Sequence, residues 1–353
     1  MDDAHLVMDR VAVRRKGRER AVLDDISFSL PRGATLVLLG PEGAGKTAIL
    51  LVLAGFLRPT SGTVRLAGRD ITTTPPQTRD IAMLAREDAL FPHLSVLDNI
   101  AFGLKMRGQS REARRARARA TLAALGLGAL AERHPGRLDA TERRLVALAR
   151  AIACRPSLLL VDEPRDATDA PQREAARAVL RTALADTDTT AILATHDRAA
   201  AFGLADQVAL LREGRLEQIG PPRELFERPA TRFAATFTGP CNLLPATLLG
   251  HTGAGAVLKL AGGTANAQAR PELPPGRVLV CLRPHRLRLD PAGPVRGPVE
   301  QIDYQGALTR VTLRLADGPV VADLAQAPPG LARGDELSLG WDPAEAWLLP
   351  VAA

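Results

Sequence analysis

An α/β domain carrying a helical insertion, followed by a smaller β-rich domain, is the architecture this sequence predicts, and three observations predict it. Apolar runs lie at Thr35 to Leu39, Ser157 to Val161 and Ala191 to Thr195, and the latter two end in polar, charged residues, as buried parallel strands do when their carboxyl ends build a site. An Ala/Arg/Leu-rich stretch without proline, Ser110 to Leu127, lies between the first two runs and reads as inserted helix. Beyond Gly239-Pro240 helical periodicity fades and short alternating segments take over.

Each element has its own local reason. Ile26 to Leu30 alternates with period two, Thr35 to Leu39 is continuously apolar, and a glycine-rich turn then opens a helix over Thr47 to Leu53, making a β-loop-α unit. The Arg-Arg-Ala-Arg run at 114–117 reads as a solvated helix face. In the tail, Val278 to Leu282 and Val311 to Leu315 read as strands, the latter followed by an Asp317-Gly318 hairpin turn; the stretches around Gly262-Gly263 and from Pro271 to Gly276 read as loops. No internal repeat is evident.

A length of 353 residues suggests two domains, and 46% hydrophobic with 24% charged residues excludes a disordered, collagenous or disulfide-scaffold chain. No apolar run approaches the roughly 20 residues of a membrane-spanning helix, and the Met1-Asp2-Asp3 start is unlike a signal peptide. Cys154, Cys241 and Cys281 are odd in number and far apart, which predicts a reducing compartment and packing roles. The net charge of +7 comes from arginines spread along the chain, with Lys16, Lys46, Lys105 and Lys259 the only lysines. With aromatics at 3%, that diffuse basicity does not predict a nucleic-acid surface.

The chemistry concentrates in two motifs. Gly40-Pro41-Glu42-Gly43-Ala44-Gly45-Lys46-Thr47 matches G-x-x-x-x-G-K-[ST] between a strand and a helix, the setting of a phosphate-binding loop. Glycines let backbone N–H groups wrap phosphates at a helix N-terminus, Lys46 reaches the β- and γ-oxygens, and Thr47 offers a hydroxyl to Mg²⁺. Leu158 to Val161 then delivers Asp162, suited to Mg²⁺, and Glu163, suited to activating a water; read alone, Asp162-Glu163-Pro164 could equally be a strand-ending turn. Ala191 to Thr195 leads to His196, where an imidazole can meet a γ-phosphate.

In this order the motifs resemble the nucleotide-binding subunit of ATP-binding cassette (ABC) transporters, over residues 1–237 with a helical subdomain at about 92–150. The resemblance implies a P-loop ABC-ATPase core in which Asp162 and Glu163 are the Walker B aspartate and catalytic glutamate, and His196 the switch histidine. Ala89 to Val96 with Asn99 to Leu104 is similar to the segment by which importer ATPases meet their permease, and Glu213 to Gln218 with Glu224 to Pro229 resembles the family's C-terminal stretch. Cys281-Leu282-Arg283-Pro284-His285, Tyr304-Gln305-Gly306 and Gly340-Trp341-Asp342-Pro343 resemble a small oligonucleotide-fold-like (OB-like) TOBE domain over 241–353, as in polyamine importers and less closely those for iron, sulfate or sugars. The implied cofactors are ATP and Mg²⁺. The implied partners are integral-membrane permease subunits, a second ABC ATPase subunit and, indirectly, a periplasmic solute-binding protein, on the cytoplasmic side of the inner membrane, with no specific nucleic acid.

Several positions depart from the family pattern. Its signature Leu-Ser-Gly-Gly-Gln aligns with Leu138-Asp139-Ala140-Thr141-Glu142. A carboxylate about 4 Å from a phosphate charge repels it by roughly 4 kcal/mol at an effective dielectric of 20. Asp139 with Glu142 three residues later is also a capping-box pattern, and the helix-start reading is the favoured one. The glutamine expected in Met83 to Asp88 aligns with Arg86, a donor-only group that cannot ligate a cation, so the role is lost unless Arg86 contacts phosphate. The adenine-stacking aromatic expected near Arg15 or Lys16 is absent, and Ala48 replaces a hydroxyl residue. Three outcomes are open: an active ATPase, a degenerate nucleotide-binding half needing an intact partner cassette or serving regulation, and a soluble nucleic-acid-associated ABC protein, which the TOBE-like tail disfavours.

Overall fold

A six-stranded sheet carries the first part of the chain, in a computed structural model that describes residues 4–14, 20–162, 178–184, 189–253 and 255–351. Glu163, Arg15 and Lys16 lie outside the described residues. The chain forms two units, Met1–Pro222 and Arg223–Ala353.

In the first unit the strands are β1 (Ala4–Val13), β2 (Leu23–Pro31), β3 (Thr35–Leu39), β4 (Ser61–Leu66), β5 (Arg69–Asp70), β6 (Ile81–Leu84), β7 (Leu158–Asp162), β8 (Thr190–Thr195), β9 (Gln207–Arg212) and β10 (Arg215–Gly220). The helices are α1 (Lys46–Ala54), α2 (Val96–Met106), α3 (Arg111–Ala124), α4 (Ala140–Ala153) and α5 (Arg198–Leu204). The large sheet runs β10-β9-β3-β8-β7-β6, and a four-stranded antiparallel sheet runs β2-β1-β4-β5. β3, β7 and β8 are buried at every position, which is why their sequences are continuously apolar rather than alternating. β2 buries every second residue, Ile26, Phe28 and Leu30, because its other face is exposed. One apolar cluster joins both sheets and α1, from Leu6 and Ile26 through Leu38 and Leu50 to Leu160.

α1 ends at Gly55, whose φ of +87° suits glycine. The carbonyls of Val52 and Leu53 at this helix end accept from buried Arg79 Nη1 at 2.7 and 2.5 Å. α2, α3 and α4 share a separate apolar cluster that includes Leu97, Ile100, Leu122 and Val146. Arg114, Arg115 and Arg117 are half-buried rather than fully solvated. Arg117 Nε donates to the Ala153 carbonyl at 3.3 Å, fastening α3 to the end of α4.

The second unit contains α6 (Pro222–Glu227), whose first residue belongs to the first unit, and α7 (Arg232–Thr238). It adds two five-stranded sheets. One runs β13 (Gly263–Ala267), β12 (Gly255–Leu260), β11 (Asn242–Thr252), β14 (Gly276–Leu282), β20 (Trp347–Pro350). The other runs β15 (Arg288–Leu289), β19 (Glu336–Gly340), β16 (Val295–Tyr304), β17 (Thr309–Leu315), β18 (Gly318–Leu324). The unit begins ahead of the boundary that the change in periodicity suggests, because Arg283 fastens α6 and α7 to it. That guanidinium, 5% exposed, donates to the carbonyls of Phe226, Ala235 and Gly239 and lies 4.0 Å from the centroid of the Phe226 ring. Two local expectations shift. The hairpin turns at Ala316-Asp317, and Gly318 opens β18 at φ +119°. Gly263-Thr-Ala-Asn-Ala is a strand although it shows little apolar pattern, since it buries only its last alanine. The cysteines are free, and Cys241 is brought down to about 7 chiefly by a hydrogen bond with Cys281.

Asp80 ties β6 to β7 at their amino ends. Its Oδ2 accepts from Ser157 N at 3.0 Å and Ser157 Oγ at 2.6 Å, and its Oδ1 accepts from Arg107 Nη2 at 2.6 Å. Burial pushes this carboxyl up, but the bonds from Ser157 and Arg107 outweigh it and hold Asp80 below its ordinary 3.8. The resulting stabilisation is present above 3.8 and is lost as the pH falls through the depressed folded value. Asp80→Asn is therefore expected to lower the melting temperature at neutral pH, with a difference from wild type that shrinks as melts are repeated below pH 3.8.

Candidate functional site

The register of three parallel strands assembles the site. β3 pairs with β8 so that Leu39 faces Thr195, and β7 pairs with β8 so that Asp162 faces Ala194. The carboxyl ends of all three strands therefore fall along one edge, with Gly40 following β3 and His196 following β8; Glu163, next in sequence after β7, lies outside the described residues. His196 is exposed, and next to it Thr195 Oγ1 accepts from Asp197 N at 2.8 Å, holding the turn into α5.

From Gly40 the chain wraps as a phosphate-binding loop must. Gly40 is buried, Pro41 half-buried, Glu42 and Gly43 exposed, and Ala44 buried, where its N–H returns to the Pro41 carbonyl at 3.3 Å. Gly45 N-caps α1 at φ +102° without any side-chain cap. That left-handed conformation favours glycine, and a Cβ there would also stand 2.8 Å from Leu23 Cδ2 and 3.2 Å from the Val22 carbonyl oxygen. The amino end of α1 thus presents backbone N–H groups that no side chain of its own occupies. Lys46 is 8% exposed, and its ammonium spans the loop, donating to the Gly40 carbonyl at 2.6 Å and the Pro41 carbonyl at 2.8 Å. Ala48 packs against the apolar core.

Thr47 joins this loop to β7, its hydroxyl donating to Asp162 Oδ2 at 3.1 Å. A hydroxyl and a carboxylate so close suit Mg²⁺, a hard cation that takes one or two protein oxygens and completes its shell with phosphate and water. Arg86, two residues beyond β6, reaches the same oxygens. Its Nη2 donates to Thr47 Oγ1 at 3.2 Å, and its Nε stands 3.3 Å from Asp162 Oδ2.

Arg144 was not foreseen as part of this site. From α4 it donates to the Asp162 carbonyl at 2.7 Å and the Ala85 carbonyl at 2.6 Å, joining the end of β7 to the segment that carries Arg86. In sequence it is one arginine among many in an amphipathic helix, and nothing local separates it from the others.

At the start of α4, Asp139 and Glu142 form a reciprocal capping box. Asp139 Oδ1 accepts from Glu142 N at 2.7 Å, and Asp139 N donates to Glu142 Oε2 at 2.9 Å. The helix-start reading of this pair therefore holds.

A strand running into a glycine loop and a helix N-terminus, with a buried carboxylate delivered by a parallel strand of the same sheet, defines a P-loop nucleoside triphosphatase. Comparison with known proteins narrows the class. The ABC transporter family profile matches residues 23–166 and the TOBE domain profile matches 280–349. The chain is 35% identical to the spermidine/putrescine import ATP-binding protein PotA of Frankia alni, over 95% of this chain and 77% of that protein. It is also 35% identical to the Fe(3+) ions import ATP-binding protein FbpC 1 of Rhizobium meliloti, over 84% of each. Among solved structures, CbiO1 of Clostridium perfringens, part of the ABC transporter complex CbiONQ, shares the fold with a TM-score of 0.60 at 24% identity, covering 64% of this chain and 92% of that one. The chain belongs to the ATP-binding subunits of ABC transporters, in the importer group that carries a TOBE domain, and it binds and hydrolyses ATP. Among the described residues no helix is long and apolar enough to cross a membrane.

The capping box makes Asp139 a structural residue. Asp139→Ala is expected to cost about 1 kcal/mol of stability in urea titrations, and Asp139→Ser, which keeps a capping oxygen, much less.

Proposed function

We propose that this subunit drives import of polyamines or a similar small solute. In this reading it works on the cytoplasmic side of the inner membrane with integral-membrane permease subunits and a second ATPase subunit, and a periplasmic solute-binding protein delivers the solute. The observation that carries the ATP-driven part of the reading is the hydrogen bond between Thr47 and Asp162 beside a phosphate-binding loop spanned by Lys46, at the carboxyl edge of the parallel strands. Support for the polyamine assignment comes from relatives named for spermidine and putrescine at 34–41% identity.

In this mechanism the loop from Gly40 to Thr47 holds the triphosphate through its backbone N–H groups and Lys46. Thr47 and Asp162 are the side-chain oxygens that would hold Mg²⁺, and the ion would neutralise charge on the phosphate oxygens. Glu163 accepts a proton from the attacking water, and His196 hydrogen-bonds the γ-phosphate. Closure of two such subunits on ATP and reopening after hydrolysis moves the permease between its states.

The capping box favours a second reading, an asymmetric pair. Where the family's signature offers a serine and glycine N–H groups to a partner's γ-phosphate, the start of α4 closes on its own carboxylates. Paired with a cassette of intact signature, this chain's P-loop is completed normally, and the site that receives Asp139 is impaired.

Mg-ATP hydrolysis by the purified chain, alone and with its permease, tests both readings. Turnover that falls at least about 100-fold in Glu163→Gln and is lost in Lys46→Ala supports an active motor. ATP binding with turnover no higher than in those variants supports the asymmetric pair, and placing Ser, Gly, Gly and Gln at 139–142 is then expected to raise activity. For the solute, cells lacking this subunit are expected to lose uptake of labelled spermidine and keep uptake of Fe³⁺; the reverse result overturns the polyamine assignment.

A further inference from the structure

We infer that Arg86 is a resident cation of the nucleotide site, so that this chain holds ATP with little dependence on a divalent metal and binds that metal weakly. The inference rests on the reading of this loop as the ATP site and concerns what neutralises charge there.

Thr47 Oγ1 and Asp162 Oδ2 are the two side-chain oxygens suited to the metal, and Arg86 engages both. Thr47 donates its proton to Asp162 at 3.1 Å and accepts from Arg86 Nη2 at 3.2 Å. The hydroxyl lone pairs are thus already shared with a cation. Asp162 is 3% exposed, and a carboxylate so buried needs a charged partner close by. Arg86 Nε supplies it at 3.3 Å. That Nε is itself buried, and its approach to Asp162 is an ion pair without an aligned hydrogen bond among the described residues, so its N–H remains available to a phosphate oxygen.

The placement of Arg86 is built rather than incidental. Arg144 bonds the Asp162 carbonyl with one nitrogen and the Ala85 carbonyl with the other, and pairs with Asp88 Oδ1 at 3.4 Å. The two residues flanking the Arg86-Glu87 step are therefore both held against the end of β7.

A guanidinium has a planar set of donors matched to phosphate oxygens and stays charged at any working pH. It can neutralise part of the triphosphate charge beside Asp162, but it has no acceptor with which to bind a metal ion. A dication entering between Thr47 and Asp162 must displace Arg86 or bear its repulsion. Both effects lower the gain that metal brings to nucleotide binding.

Calorimetric titration of the full chain with ATP, in EDTA and in excess Mg²⁺, tests this. For wild type the two dissociation constants are expected to agree within about threefold, and for Arg86→Gln to differ by about tenfold or more. Electron paramagnetic resonance of Mn²⁺ with a non-hydrolysable ATP analogue is an independent readout, expected to show about tenfold tighter Mn²⁺ in Arg86→Gln than in wild type. Loss of ATP affinity by tenfold or more when wild type is moved to EDTA overturns the inference, as does an equal metal dependence in both proteins. No ATP binding by wild type in either condition overturns the nucleotide-site reading itself. Should Arg86→Gln fail to fold by circular dichroism, the wild-type ratio decides alone, with Arg86→Lys, a point charge lacking the planar fork, as the comparison variant.

Discussion

A single buried carboxylate organises the first unit. Asp162 ends a strand in the interior of a parallel sheet, where water cannot solvate it, and its neighbours answer that demand. Thr47 gives it a hydroxyl proton, Arg86 an ion pair, and Arg144 holds its backbone carbonyl. These partners come from α1, from the segment after β6 and from α4. One group therefore links the phosphate loop, the edge of the sheet and the helical insertion.

The two functional helix starts in this unit follow opposite rules. α1 opens at Gly45 with no side-chain cap, which keeps its N–H groups for an anion. α4 opens at Asp139, whose carboxylate takes the N–H of Glu142 while Glu142 reaches back to the N–H of Asp139. A helix start has few orphan donors, and an internal carboxylate that takes them also leaves its negative charge where a phosphate would sit. Stability at α4 is thus gained at the expense of anion affinity, and the opposite choice is made at α1.

The second unit meets buried polarity in another way. Asn242 uses its side-chain amide as a backbone surrogate, exchanging hydrogen bonds with Val321 N and Val321 O at 2.8 Å each and joining the two sheets. Arg283 spreads its guanidinium over several carbonyls at the ends of α6 and α7, where helices leave acceptors unmet. Both devices satisfy backbone groups far apart in sequence, which allows two short helices and two sheets to share one small unit.

The buried strands, the glycine loop and the carboxylate after Val161 were legible in the chain because each follows from local chemistry. A fully buried strand must be apolar throughout, a loop at φ +102° favours glycine, and a capping box has fixed spacing. What could not be read are the pairings that depend on distant segments meeting. The Asp317-Gly318 turn moved by one residue because cross-strand register decides it, and β13 went unseen because pairing with β12 holds it rather than apolar pattern. The sequence could say that Arg86 had lost a ligand's chemistry. Only the parallel register of β6, β7 and β8, by bringing strand ends together across long loops, decided that its charge falls on Thr47 and Asp162. Long-range contact is a property of the folded sheet, not of any stretch of chain.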